Sequence, residues 1–164
     1  MDDHQREHYL TVYLNDHLAG ATAGKARFAR SARAHRGTEV GEALSRLHAE
    51  VAEDRRALLR WMGVLGIARQ PWMQVAGRAA EAVGALKPNG RLVRSSPLRT
   101  VVELEALVLG VEGKGALWRT LRELARTDSR LDADALEELV QRADRQSAEL
   151  ERLRRGAVTD VLGR

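Results

Sequence analysis

Residues 38–66, TEVGEALSRLHAEVAEDRRALLRWMGVLG, decide the fold class because apolar side chains recur in them every three or four positions. These side chains form one helical face, which comprises Val40, Leu44, Leu47, Val51, Asp54, Leu58, Met62 and Leu65. Thr38 suits an N-cap because its hydroxyl can accept a hydrogen bond from the first turn, and Gly66 suits a helix end. The pattern predicts a long amphipathic helix that carries one carboxylate within its apolar face.

Helical periodicity continues outward from this stretch on both sides, and no segment shows convincing period-two alternation. The predicted helices cover residues 6–34, 38–65, 72–86, 97–126 and 134–155. Ser96 and Pro97 suit the start of the fourth helix, and Asp134 suits the cap of the fifth. The chain is therefore predicted to be all-α.

The lengths of the connections limit the topology. Short turns around residues 35–37 and 127–132 make the first two long helices antiparallel neighbours, and likewise the last two. The interval between the second and fourth helices is long enough to travel back along the bundle, and it carries the short helix 72–86. Two antiparallel hairpins joined by a long crossover are typical of ferritin-like four-helix bundles. We expect one such domain over residues 1–164.

The composition favours a single domain and excludes several kinds of function. The chain has 164 residues, of which 44% are hydrophobic and 30% charged, so it can bury a core of its own. It contains no cysteine, which excludes disulfides, thiolate metal sites and cysteine nucleophiles. No apolar run approaches the ~18 residues of a membrane span, so no membrane association is expected. The polar start, MDDHQREHYL, has no secretory character, which favours the cytoplasm.

Four carboxylates fall on or beside the predicted apolar faces, where an unpaired charge is costly. They are Asp16, Asp54, Glu105 and Glu112. The predicted inward face of the first helix also includes Tyr9, and that of the fifth includes Ser147. The predicted inward face of the fourth helix also includes Val101, Leu109, Leu117 and Leu121. Folding the chain at the first turn brings residue 16 level with about residue 57. Folding the last two helices together brings Glu112 level with about residue 148. We therefore expect a layer of carboxylates near the middle of the bundle.

Two interpretations of this layer remain open. A third possibility is that the acids are simply more exposed than the predicted faces suggest. In the first, protein groups such as Arg55, Arg27, Lys114 or Tyr13 neutralise the carboxylates. In the second, Asp16, Asp54 and Glu112 bind iron or manganese with the help of His17 or His48. Di-iron bundles use two Glu-x-x-His pairs, and this chain has none. The first interpretation is therefore favoured, with no cofactor.

Three stretches carry a resemblance to a known group of proteins. They are YLNDHLAGATAG (13–24), AEVAEDRRALLRWMGVLG (49–66) and SPLRTVVELEALVLGVEGKGALW (96–118). Together they resemble small uncharacterised actinobacterial proteins of the ferritin-like superfamily, and the similarity covers nearly the whole chain. The resemblance implies the ferritin-like fold and no established activity. The superfamily's metal ligands do not carry over, because the Glu-x-x-His positions are absent.

Glycines interrupt the middles of two predicted helices, where each costs ~1 kcal/mol of helix stability relative to alanine. They are Gly20, Gly24, Gly110, Gly113 and Gly115. Close approach of two helices or a local bulge would account for them. The alternative is room for a small ligand beside the polar layer.

The net charge is +4, and most of the basic residues are arginine. Residues 87–99 hold four of the basic side chains and no acidic one: Lys87, Arg91, Arg94 and Arg99. Such a segment offers a surface for phosphate groups or an acidic partner. It has no interleaved aromatic residue and no nucleic-acid motif, which favours a solvated loop.

Taken together, the residues favour an interaction or structural protein without a metal and without enzymatic activity. Trp72 on the short helix is the candidate contact of a homodimer or of another protein partner. A ferritin-like enzyme or metal carrier is the first alternative, and weak binding of nucleic acid through residues 87–99 is the second.

Overall fold

A computed structural model describes residues 2–70, 96 and 98–163 of the chain. Within these ranges the secondary structure consists of four α-helices and no strand: α1 (Asp3–Ala34), α2 (Glu39–Val64), α3 (Arg99–Leu124) and α4 (Ala133–Leu162). The prediction of an all-α bundle is confirmed. The predicted helix 72–86 and Trp72 lie outside the described residues. None of the helices in these ranges is long and apolar enough to span a membrane.

Local side-chain chemistry sets the helix ends. The Thr38 hydroxyl accepts a hydrogen bond from the Gly41 N–H at 3.2 Å and caps α2 as predicted. Gly66 follows α2 with a φ of +73°, a left-handed conformation that suits glycine. The cap of α4 is Asp132 rather than the predicted Asp134, because the Asp132 carboxylate accepts hydrogen bonds from two N–H groups of the first turn.

The contacts between helices fix their directions. Tyr13 donates a hydrogen bond to Thr120 at 3.2 Å and His35 contacts Glu103 at 3.2 Å, so α1 and α3 are antiparallel. Glu39, at the start of α2, contacts Arg152 of α4 at 2.9 Å, and Asp54, later in α2, contacts Arg142, which comes earlier in α4. The helices α2 and α4 are therefore also antiparallel. Because α1 is antiparallel to α2 as well, α2 and α3 run in the same direction. The end of α2 and the start of α3 therefore lie at opposite ends of the bundle.

The buried faces of α2 and α4 agree closely with the predicted ones. In α2, every predicted core position from Leu44 to Met62 is buried. In α4, the buried residues include Leu136, Leu139, Val140, Ala143, Leu150 and Leu153. Both helices have one apolar face and a strongly charged opposite face, so only the apolar face can turn inward.

The predicted face of α1 was wrong by a rotation about the helix axis, and that of α3 was wrong in part. In α1, Leu14 is fully buried, whereas Tyr9, on the predicted face, is 55% exposed. In α3, the predicted Val101, Leu117 and Leu121 are buried, but the core also contains Leu104, Leu107, Val111 and Trp118. The bulkiest side chains thus turn inward, and the neighbouring acids of both helices turn outward. Periodicity did not separate the two choices, because α3 carries apolar residues around its circumference.

The helical glycines provide a direct test of packing. An added Cβ at Gly110 would meet no heavy atom within 4 Å, so Gly110→Ala should stabilise the chain by about 0.5–1 kcal/mol through helix propensity. At Gly41 an added Cβ would overlap the His35 carbonyl oxygen, so Gly41→Ala should destabilise. Urea unfolding of both variants checks the pair. A loss of stability in Gly110→Ala would contradict the open surroundings of this glycine.

Candidate functional site

Asp54 is the one buried carboxylate of the described residues, with 2% of its surface exposed. It lies on the inward face of α2, between leucines and valines that place it well inside the bundle. Both of its oxygens have partners. Lys114 of α3 donates to Oδ2 at 2.5 Å, and Arg142 of α4 donates to Oδ1 at 3.2 Å. Three helices therefore meet at this carboxylate.

Gln146 of α4 links Asp54 to a second acid. Its Nε2 donates to Asp54 Oδ2 at 3.2 Å and to Glu50 at 2.9 Å, while its Oε1 accepts a hydrogen bond from Lys114. Gln146 is 1% exposed, so every hydrogen bond of its amide replaces one to water. Asp54, Glu50, Lys114, Arg142 and Gln146 thus form one polar network, which we call the Asp54 network. At its exposed edge Arg142 also lies 3.5 Å from the carboxylate of Glu53.

The stability of the Asp54 network depends on the charged ammonium group of Lys114. Burial lowers the pKa of the Lys114 ammonium below its usual value, and the neighbouring Asp54 carboxylate opposes that shift. An ammonium at 12% exposure is stable in its charged form only because the carboxylate compensates for lost hydration. Both oxygens of Asp54 are therefore engaged by cationic partners in the network.

Three of the four predicted buried carboxylates are exposed, and this corrects the expected layer. Glu105 lies near Arg154 at 3.6 Å, and Glu112 accepts a hydrogen bond from Ser147. Asp16 lies at the exposed rim of a cavity that also adjoins Asp54. The heights of Asp16 and Glu112 along the bundle agree with the predicted ones, but the rotation of α1 and α3 turns the side chains of all three acids to the surface.

The predicted accessory residues Arg55, His48 and His17 differ in where they lie relative to Asp54. Arg55 donates to the Thr22 hydroxyl at 2.9 Å rather than to a carboxylate. His48 is partly buried and does not line the cavity beside Asp54. His17 does line it, with its ring edge-on to Tyr13 at 4.5 Å between centroids. No group of three or more His, Cys, Asp or Glu within residues 2–70 and 98–163 is arranged to hold a metal.

His17 gives the fold a dependence on pH. Burial lowers its pKa below the ordinary value of 6.5, and Asp16 partly opposes the shift. Between the lowered value and 6.5 the unfolded chain binds more protons than the folded one, so stability rises with pH there and is fully present above 6.5. We expect His17→Gln to flatten this rise in urea unfolding from pH 5 to 7. An unchanged slope would exclude His17 as its source.

The basic segment is described only at its end. Lys87, Arg91 and Arg94 lie outside the described residues. Arg99 opens α3 and binds Glu103 of the next turn at 2.9 Å, so its charge is matched locally. Binding of nucleic acid through this segment stays a prediction.

A cavity of about 310 Å³ opens between α1, α2 and α3, next to the Asp54 network. Its wall is mostly apolar and includes Trp118, which is 1% exposed. Four of the helical glycines line it: Gly20, Gly24, Gly110 and Gly113. The cavity and the Asp54 network together form the candidate site.

Sequence reasoning missed several polar residues that are buried in the bundle or reach into it, among them Gln146, Arg142 and Asn15. Gln146 and Arg142 belong to α4 and complete the Asp54 network. Asn15 of α1 is 4% exposed and accepts a hydrogen bond from the Gln70 N–H at 2.8 Å, which fixes the chain after α2 onto α1. Gln146 lies next to Ser147, which was assigned to the inward face, so only the exact rotation of α4 identifies it.

Comparisons with known proteins do not indicate a function, so a functional proposal has to be based on the geometry of the site. No family model matches the chain, and no curated protein or solved structure matches it either.

Proposed function

We propose that this chain is a ferritin-like bundle without a di-metal centre, which acts as an interaction or structural protein rather than as an enzyme. The observation that carries the proposal is the pairing of Asp54 with Lys114 at 2.5 Å. A carboxylate that is bound by an ammonium and a guanidinium is already neutralised, and these cations repel a metal ion.

The ferritin-like assignment is supported by the direction of the helices and by the height of Asp54. Ferritin-like bundles pair α1 with α2 and α3 with α4, and a long connection makes α2 and α3 parallel. Their metals bind carboxylates and imidazoles in the middle of the bundle. Here α2, α3 and α4 contribute an acid, a lysine and a glutamine, a donor set that does not fit two metal ions.

Metal analysis of the full chain, purified without a His tag and incubated with Fe²⁺ or Mn²⁺, tests the absence of the centre. We expect well below one metal per chain, with no difference between the wild type and Asp54→Ala. Glu138→Ala is the matched control, since Glu138 is an exposed acid of α4 outside the candidate site. Stoichiometric metal that Asp54→Ala abolishes and Glu138→Ala retains would overturn the proposal in favour of a metal carrier or oxidoreductase.

Under this proposal the protein acts through its surface, by forming a homodimer or by binding another protein. Several large apolar side chains are exposed, among them Tyr9, Leu109 and Leu162, and association would remove them from water. Sedimentation equilibrium at micromolar concentration measures the mass. A dimer that dissociates when Tyr9 or Leu109 is replaced by serine supports a homodimer, and a monomer at every concentration contradicts it.

A further inference from the structure

The cavity between α1, α2 and α3 has the shape and chemistry of a ligand site. Its volume of about 310 Å³ lies at the lower end of the range for small-molecule pockets. A dry cavity of about 150 Å³ accommodates benzene, so this one has room for two rings or an eight-carbon chain. The wall offers leucine, valine, phenylalanine and tryptophan side chains to such a body.

The glycines enlarge the cavity and have no packing role that explains them. Positions 20, 24, 110 and 113 lie in helices, where glycine is unfavourable, and an added Cβ at each would meet no atom within 4 Å. Close approach of helices would instead bring neighbouring atoms near these Cβ positions. Open space is therefore what these residues provide.

A buried polar group on the same wall has no partner among the residues that the structure describes. Trp118 is 1% exposed, and its indole N–H has no hydrogen-bond acceptor within the described part of the chain. A buried donor without an acceptor is costly, and folded proteins rarely contain one. An acceptor atom on a bound molecule would satisfy this N–H.

The charges on the wall favour an anion. Asp54 and Lys114 neutralise each other, which leaves Arg27 and Arg55 opposite the single carboxylate of Asp16. Neither guanidinium forms an ion pair with a carboxylate of the described residues. Guanidinium groups recognise carboxylates through paired, charge-assisted hydrogen bonds.

We propose that this cavity binds a small apolar monocarboxylate, such as a medium-chain fatty acid or an aromatic acid. The apolar body occupies the glycine-lined space, and the carboxylate is held by Arg27 and Arg55 while one of its oxygens accepts the hydrogen bond of the Trp118 N–H. The proposal goes beyond the proposed function and is independent of it, since the pocket can bind an acid whether or not the bundle holds a metal.

The test follows the Trp118 indole N–H in ¹⁵N-correlated NMR spectra of the full chain, with Trp118→Phe to assign the signal. Sodium octanoate should shift this signal saturably, and octan-1-ol should bind at least tenfold more weakly. Replacing both arginines, Arg27→Gln with Arg55→Gln, should weaken octanoate at least tenfold and change octan-1-ol by less than twofold.

Blocking variants separate binding in the cavity from binding elsewhere. Gly110→Leu and Gly20→Leu place a side chain in the cavity from α3 and from α1, and either should abolish the shift at unchanged helicity. Gly156→Leu is the matched control, because Gly156 is a helical glycine of α4 that is open to solvent and away from the cavity. Two blocking variants keep the test valid if one fails to fold.

Three outcomes would overturn the proposal. One is the absence of any Trp118 shift at millimolar octanoate. Another is a shift that persists in both blocking variants. The third is equal binding of octanoate and octan-1-ol, which would remove the carboxylate from the ligand class.

Discussion

Replacing Lys114 by methionine should lower the free energy of unfolding by about 3 kcal/mol, because it leaves Asp54 charged at 2% exposure without its closest cation. Arg142 and Gln146 retain their hydrogen bonds to Asp54, so the loss should fall at the lower end of the range for broken buried pairs. Asp54→Leu should cost a similar amount by leaving Lys114 unpaired. Urea unfolding followed by circular dichroism measures both.

The double variant, Asp54→Leu with Lys114→Met, completes a double-mutant cycle that measures the interaction between the two residues. Removing both charges should recover most of the loss, since well-packed apolar residues can replace a buried ion pair at little cost. The matched controls are exposed: Lys25→Met and Asp16→Ala should each change stability by less than about 0.5 kcal/mol. Additive losses in the double variant would show that Asp54 and Lys114 do not interact.

Leu107→Ala should destabilise the chain by about 3 kcal/mol, the second large effect that we expect. The Leu107 side chain is 2% exposed in the core, and its truncation removes packing and leaves a void. Leu109 lies two positions further along the same helix and is 59% exposed, so Leu109→Ala should cost less than about 1 kcal/mol. Chemical denaturation of the two variants compares the same substitution in two environments.

The comparison of these leucines tests the rotation of α3, on which Lys114 depends. If Leu109→Ala were the more damaging of the two, α3 would be rotated as the sequence pattern predicted. Glu105 and Glu112 would then face the interior, and the Asp54 network would not form as described.

The height of residues along the bundle could be predicted from sequence, but their rotation could be predicted for only two helices. Fixed rise per residue and short turns placed Glu112 level with Ser147, which it contacts in the structure. Rotation depends on the contrast between apolar and polar faces. That contrast is sharp in α2 and α4, and weak in α1, where Leu14 and Phe28 are widely spaced, and in α3, where leucines and valines lie on several faces.

The candidate site shows the same division. Asp54 could be predicted because it interrupts a strong apolar stripe, and Lys114 was among the cations expected to neutralise such an acid. The contributions of Gln146 and Arg142 could not be predicted, because long side chains reach the carboxylate from positions that periodicity does not single out. The cavity likewise depends on the distance between α1 and α3. The four glycines indicated that there could be room for a ligand, but the sequence did not determine this distance.

The ammonium of Lys114 can be observed directly, and its signal reports whether this buried lysine is paired with Asp54. We expect a ¹⁵Nζ–H signal of Lys114 to be visible by NMR at neutral pH, because burial slows exchange with water, and to move in Asp54→Asn. A Lys114 ammonium that exchanges as fast as that of the exposed Lys25, with no response to Asp54→Asn, would contradict the ion pair.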